Sequence, residues 1–121
     1  MTHLLICEDD ESVREALADG FRAYGFTVTA VGTMNAAMDV LQREELTHVI
    51  ADGRFRVNGN WEPADYGPVL LAFARETGIK TLLYSGRDNL VEQERKVGGK
   101  ALLKPQSLAV LVEALQGEED D

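Results

Sequence analysis

Three consecutive acids, Glu8-Asp9-Asp10, stand directly after the apolar run Leu4-Leu5-Ile6-Cys7. Carboxylates side by side repel, and each resists ionising beside the others. A cation at that spot would offset the cost. Three more apolar runs each end in one polar residue: Val49-Ile50-Ala51 in Asp52, Leu82-Leu83-Tyr84 in Ser85, and Ala101-Leu102-Leu103 in Lys104. About two carboxylates, completed by water and phosphate oxygens, describe a magnesium site. A remaining carboxylate beside that cation can act as a nucleophile and form an aspartyl-phosphate. A lysine ammonium would neutralise charge on the moving phosphoryl group, and a hydroxyl would donate a hydrogen bond to it. The chemistry requires that the four endings meet in space.

The elements between these endings decide that. Residues 11–25 predict a helix whose stripe is Val13, Leu17, Phe21 and Tyr24, with Gly25 as its C-cap. Residues 26–31 alternate apolar and polar, which suits an edge strand. Thr33 caps a second helix with Ala37, Met38 and Leu41 on one face. Residues 47–52 form a strand, and 53–66 a long aperiodic loop carrying Arg54, Arg56 and Trp61. Then come a helix over 67–76 with Leu70, Phe73 and Ala74 inward, and a strand over 80–84. A short charged helix with little apolar face spans 88–97, followed by a strand over 100–103. The last helix has Leu108, Leu111, Val112 and Leu115 at i, i+3, i+4, i+7.

Strict alternation of strand and helix predicts an α/β fold: a five-stranded parallel sheet covered on both faces. Right-handed crossovers favour the order 2-1-3-4-5. Ligands then bind outside the carboxyl ends of the strands, where the order reverses between strands 1 and 3. Glu8, Asp9, Asp52, Ser85 and Lys104 therefore converge on one rim.

The totals agree with a single domain over 1–117, with the acidic end 118–121 expected to be disordered. The 121 residues carry 12 basic and 21 acidic side chains, a formal charge of −9 that argues against nucleic-acid binding. Neither a signal peptide nor a membrane span is readable, so the expected location is the cytoplasm. The one cysteine, Cys7, reads as a small buried hydrophobe. His3 and His48 fall at strand starts on the opposite rim, with no partner acid or cysteine at metal spacing.

In this order, Leu5-Ile6-Cys7-Glu8-Asp9-Asp10, Val49-Ile50-Ala51-Asp52, Leu83-Tyr84-Ser85-Gly86 and Leu102-Leu103-Lys104-Pro105 resemble the receiver domain of two-component response regulators, over essentially the whole chain. The resemblance implies a flavodoxin-like receiver fold and a stand-alone response regulator. It implies Asp52 as phosphoacceptor, with Glu8, Asp9, Asp52 and the backbone carbonyl of Arg54 holding magnesium, or manganese in its place. Ser85 and Lys104 would contact the phosphoryl group, and the peptide between Lys104 and Pro105 would be cis. The donor would be a sensor histidine kinase or histidine phosphotransfer protein, and the output a changed contact with a downstream protein. Arg54 and Arg87 fall at positions that modulate phosphoryl lifetime. The face of helix 4, strand 5 and helix 5 would carry the output.

Departures from the family pattern are also plain. Ala101 stands where the signalling aromatic is expected, three residues before the lysine, and the loop after Asp52 is long. Two other readings stay open: a receiver-like binding module that has lost its switch, and an aspartate-nucleophile phosphatase. The second expects an acid two residues after the nucleophile, where this chain has Arg54.

Overall fold

The computed structural model describes residues 2–117; the acidic end 118–121 lies outside the described residues. Strands β1 (His3–Cys7), β2 (Thr27–Val31), β3 (His48–Ala51), β4 (Lys80–Ser85) and β5 (Ala101–Leu103) alternate with helices α1 (Glu11–Ala23), α2 (Met34–Arg43), α3 (Gly67–Glu76), α4 (Asp88–Lys96) and α5 (Leu108–Gln116). The strands pair in parallel in the order β2-β1-β3-β4-β5, the flavodoxin-like arrangement. The alternating strand β2 is one edge and the continuous apolar runs β1 and β3 are interior, as their patterns predict, while the short apolar run β5 forms the other edge.

Because strand side chains alternate between faces, β1 sends Leu4 and Ile6 one way and Leu5 and Cys7 the other. Leu4, Ile6, Ile50 and Leu82 join Phe21 of α1 and Leu111 and Leu115 of α5 in one core layer. Leu5, Cys7, Val49 and Leu83 pack against Ala37, Leu70, Leu71, Leu90 and Val91 from α2, α3 and α4 in the other. Register carries the strand ends to one rim: Cys7 pairs with Ala51, Ala51 with Leu83, and Ser85 with Leu103.

Helix ends follow the local chemistry. The Asp10 side chain accepts from Val13 N at 3.1 Å and caps α1. Thr33 does the same for Ala36 N at 3.2 Å. Gly25, at φ 101°, takes the left-handed turn after α1 that a side chain would resist.

Three expectations change. The inward face of α1 is rotated: Ala18 and Phe21 are buried, while Val13 and Tyr24 are exposed. Arg14 shares that inward side and reaches the backbone of the acidic turn, so a polar residue holds a position on the packed stripe. On α3, Leu71 replaces Phe73 as a core residue, and Phe73 is 47% exposed. α4 is not merely a solvated face. Leu90, Val91 and Glu94 are buried on it, and Glu94 Oε2 meets Arg75 Nη1 of α3 at 2.5 Å. Arg95 also donates to Ala101 O through Nε and Nη2, at 3.1 and 2.8 Å. These ties hold α4 against α3 and β5, contrary to the weak packing expected of a charged helix.

The 53–66 segment has internal order that its sequence does not announce. Phe55, fully buried, anchors it. Phe55 and Ala64 exchange backbone hydrogen bonds at 3.1 and 3.0 Å, making a small hairpin. Met34 N and Asn35 N at the start of α2 donate to Arg56 O and Val57 O at 2.8 and 3.0 Å. Gly67 N donates to Gly53 O at 3.1 Å, so the two ends of the segment touch. Trp61 is 62% exposed and is not its anchor.

Candidate functional site

The four strand endings do meet. Lys104 follows β5, and its Nζ reaches across the rim to Glu8 Oε1 at 2.9 Å and to Asp52 Oδ1 at 3.3 Å. The backbone carries it there: Lys104 N donates to Ser85 O at 2.8 Å, and Asp52 N to Cys7 O at 2.9 Å. The peptide between Lys104 and Pro105 is cis, as the resemblance implies.

The acids differ in environment. Glu8 is 3% exposed, and its Oε2 accepts from Asp10 N at 3.1 Å. Burial pushes its carboxyl above the ordinary value, the hydrogen bond from Lys104 pulls the other way, and the nearby charge of Asp52 adds to the rise. Asp52 accepts from Gly53 N at 2.8 Å, on the same Oδ1 that faces Lys104. Burial would lower the pKa of the Lys104 ammonium, but the hydrogen bond to Glu8 and the charges of Asp52 and Glu8 outweigh it and hold the value above that of ordinary lysine. The Lys104 ammonium thus lies between two acids and offsets part of their charge.

Arg14 is a contributor that the sequence reading missed. Its Nη1 donates to Glu8 O at 2.8 Å and to Asp9 O at 3.5 Å, fixing the backbone of the acidic turn from α1. The available signal was an arginine in the first turns of a helix that immediately follows an acidic turn.

Ser85 is 2% exposed, and its Oγ accepts from Arg87 N at 3.1 Å. It stands directly over Gly53: a Cβ built on that glycine would lie 2.6 Å from Ser85 Oγ and 2.7 Å from Leu90 Cδ1. A side chain there would have to displace the Ser85 hydroxyl or the tip of Leu90. The Arg54 guanidinium is turned into its own loop, donating to Pro63 O at 3.2 Å and lying 3.6 Å from Asp65. Its side chain therefore braces the hairpin. Ala101 is buried beside Leu83, Leu90 and Val91.

The donor set of Glu8, Asp9 and Asp52 suits a hard divalent cation, which keeps several waters and takes one or two carboxylates. As placed among the described residues, however, no three His, Cys, Asp or Glu side chains are gathered closely enough to hold a metal ion, so these three acids match such a cation in donor type only. The Lys104 ammonium bridges Glu8 and Asp52, so a cation would share these acids with it. Cys7 takes no part. It is buried, with its Sγ 3.8 Å from Thr33 O, and burial followed by the charges of Asp52, Glu8 and Asp9 holds the thiol far above its usual range. His3, on the opposite rim, does have an acid partner: its Nε2 lies 3.2 Å from Glu44 Oε1 and 2.9 Å from Thr29 Oγ1. β2 brings Thr29 beside β1, and the pairing is invisible to local spacing.

No protein-family model matches the chain. It is 31% identical, over 98% of its length, to the response regulator protein FleR of Pseudomonas aeruginosa, and spans only 26% of that relative's length. The response regulator receiver protein of Sinorhizobium medicae superposes with a TM-score of 0.80 at 24% identity, covering 96% of this chain and 92% of that one. A response regulator of Burkholderia pseudomallei, with a phosphorylated aspartic acid, calcium ion and citrate, gives a TM-score of 0.80 at 22% identity, covering 96% and 67%. No helix among the described residues is long and apolar enough to cross a membrane.

Proposed function

Because this chain has the receiver fold of two-component response regulators, we propose that it accepts a phosphoryl group on Asp52. The observation that carries the reading is the Lys104 ammonium held between Glu8 and Asp52 at the carboxyl ends of β5, β1 and β3. That is where a doubly wound sheet binds ligands. Among the described residues both polar contacts of the Asp52 carboxylate fall on Oδ1. Oδ2 is therefore the oxygen presented to the donor.

The donor is a phosphohistidine of a kinase or phosphotransfer protein. An oxygen of Asp52 attacks phosphorus, a P–O bond forms, and the P–N bond breaks. The imidazole leaves with the electron pair and takes up a proton. Lys104 and the Ser85 hydroxyl face the oxygens of the transferred group and balance its charge. Asp9, Asp52, Glu8 and the Arg54 carbonyl would hold magnesium or manganese, which supplies further neutralisation when bound. Water later cleaves the acyl phosphate. The phosphorylated form differs in which downstream protein it binds, a population shift driven by the added charge.

Incubation with a labelled small-molecule phosphodonor and magnesium tests the reading. Wild type should take up label and Asp52→Asn should not. Labelling of Asp52→Asn at the wild-type rate would sink the assignment.

A further inference from the structure

Tyr84 touches both the lysine of the site and the chain that follows it. It lies one residue before Ser85 on β4, is 6% exposed, and points to the sheet face opposite Leu83. Lys104 Nζ stands 5.5 Å from the centre of its ring. Its hydroxyl accepts from Gln106 N at 2.9 Å and donates to Gln106 O at 3.3 Å. Gln106 precedes Ser107, the cap of α5, whose side chain accepts from Val110 N at 3.2 Å. One buried side chain thus faces the ammonium of the site at one end and grips the entrance of a helix at the other.

We propose that Tyr84 is a positioning residue for Lys104 and the element that transmits the lysine's movement to the Pro105–Gln106 turn. The proposal rests on the phosphoacceptor reading of Asp52. The Lys104 ammonium has three attractors: Glu8, Asp52 and the face of the Tyr84 ring. New negative charge on Asp52 draws the ammonium away from Glu8 and changes its distance to the ring. The ring cannot follow without moving a hydroxyl that holds both the N–H and the C=O of Gln106. A shift at the site is therefore read at the start of α5 through two hydrogen bonds.

The test is NMR of the full chain titrated with beryllium trifluoride and magnesium, a phosphoryl mimic. The amides of Gly53 and Gln106 and the Tyr84 ring resonances are followed in wild type, Tyr84→Phe and Lys104→Met. The expected result in wild type is movement of all three. In Tyr84→Phe, which keeps the ring and loses the hydroxyl, the Gln106 shift should fall at least threefold while Gly53 still moves. In Lys104→Met the Tyr84 ring should stay still. A Gly53 shift with an unmoved Gln106 in wild type, or an undiminished Gln106 shift in Tyr84→Phe, overturns the coupling and leaves the phosphoacceptor reading intact. An unmoved Gly53 in wild type overturns both. If a variant fails to fold, the wild-type arm still overturns the coupling when Gln106 stays unmoved.

Discussion

Lys104 Nζ lies 2.9 Å from Glu8 Oε1, a buried carboxylate that has its ammonium partner 96 residues away in sequence. Removing either member has unequal effects. Lys104→Met strands Glu8 in the interior, which either stays charged without a partner or takes up a proton. The expected loss is about 1–3 kcal/mol at neutral pH by chemical denaturation, the cost of an unsatisfied buried group, together with loss of labelling at Asp52.

Glu8→Gln should behave differently, and the sign depends on pH. The folded state raises the carboxyl's pKa above the ordinary 4.5. The folded state therefore favours the protonated form, so this group's contribution is fully present below about 4.5 and is lost as pH rises through the higher folded value. Stability of wild type relative to Glu8→Gln should decline as pH rises from 4.5 toward neutrality. Denaturation curves collected across that range check the slope, and a flat difference would contradict it.

Gly53→Ala tests the packing under the hydroxyl. The new Cβ collides with Ser85 Oγ and Leu90 Cδ1, so either Ser85 leaves its place or β3 shifts. Overpacking of this kind costs about 1–3 kcal/mol. Labelling at Asp52 should slow with it, because the displaced hydroxyl is the one proposed to contact the phosphoryl oxygens.

The loop offers a contrast between its anchor and its tip. Phe55→Ala empties a fully buried site and should cost about 3–5 kcal/mol. Trp61→Ala should stay within about 0.5 kcal/mol, as for an exposed side chain away from special features. If the two variants melt alike, the anchor has been misassigned.

Glu94, buried on α4, takes its cation from the part-exposed Arg75 of α3. Arg75→Ala leaves Glu94 without its cation and should cost about 3–5 kcal/mol, whereas replacing both by apolar residues of similar size should recover most of that. Equilibrium unfolding of the two single variants and the double measures the coupling.

The sheet and its rim were legible in the sequence because both rest on local pattern. Four apolar runs each ended in a chemically distinct residue, and alternation of elements left one economical strand order. What escaped depends on pairings across the fold. Arg14 bonds the backbone of the acidic turn, so a polar residue sits on the packed side of α1 and turns the apparent stripe of Val13 and Tyr24 outward. Glu94 looks like any surface acid until Arg75, 19 residues earlier, is brought beside it. His3 gains Glu44 only because the fold brings the C-cap of α2 against the start of β1. The order within 53–66 is also non-local: it comes from α2 donors and from Phe55, and neither has a period.

The contact between Gly53 and Gly67 has an evolutionary consequence. A segment whose two ends are hydrogen-bonded to each other is a closed handle on the body of the domain. Residues can be spliced into or out of its tip, between Val57 and Ala64, while Phe55, the α2 contacts and the sheet register stay fixed. The tip that carries the exposed Trp61 can therefore change in length or composition without altering the sheet that holds Asp52.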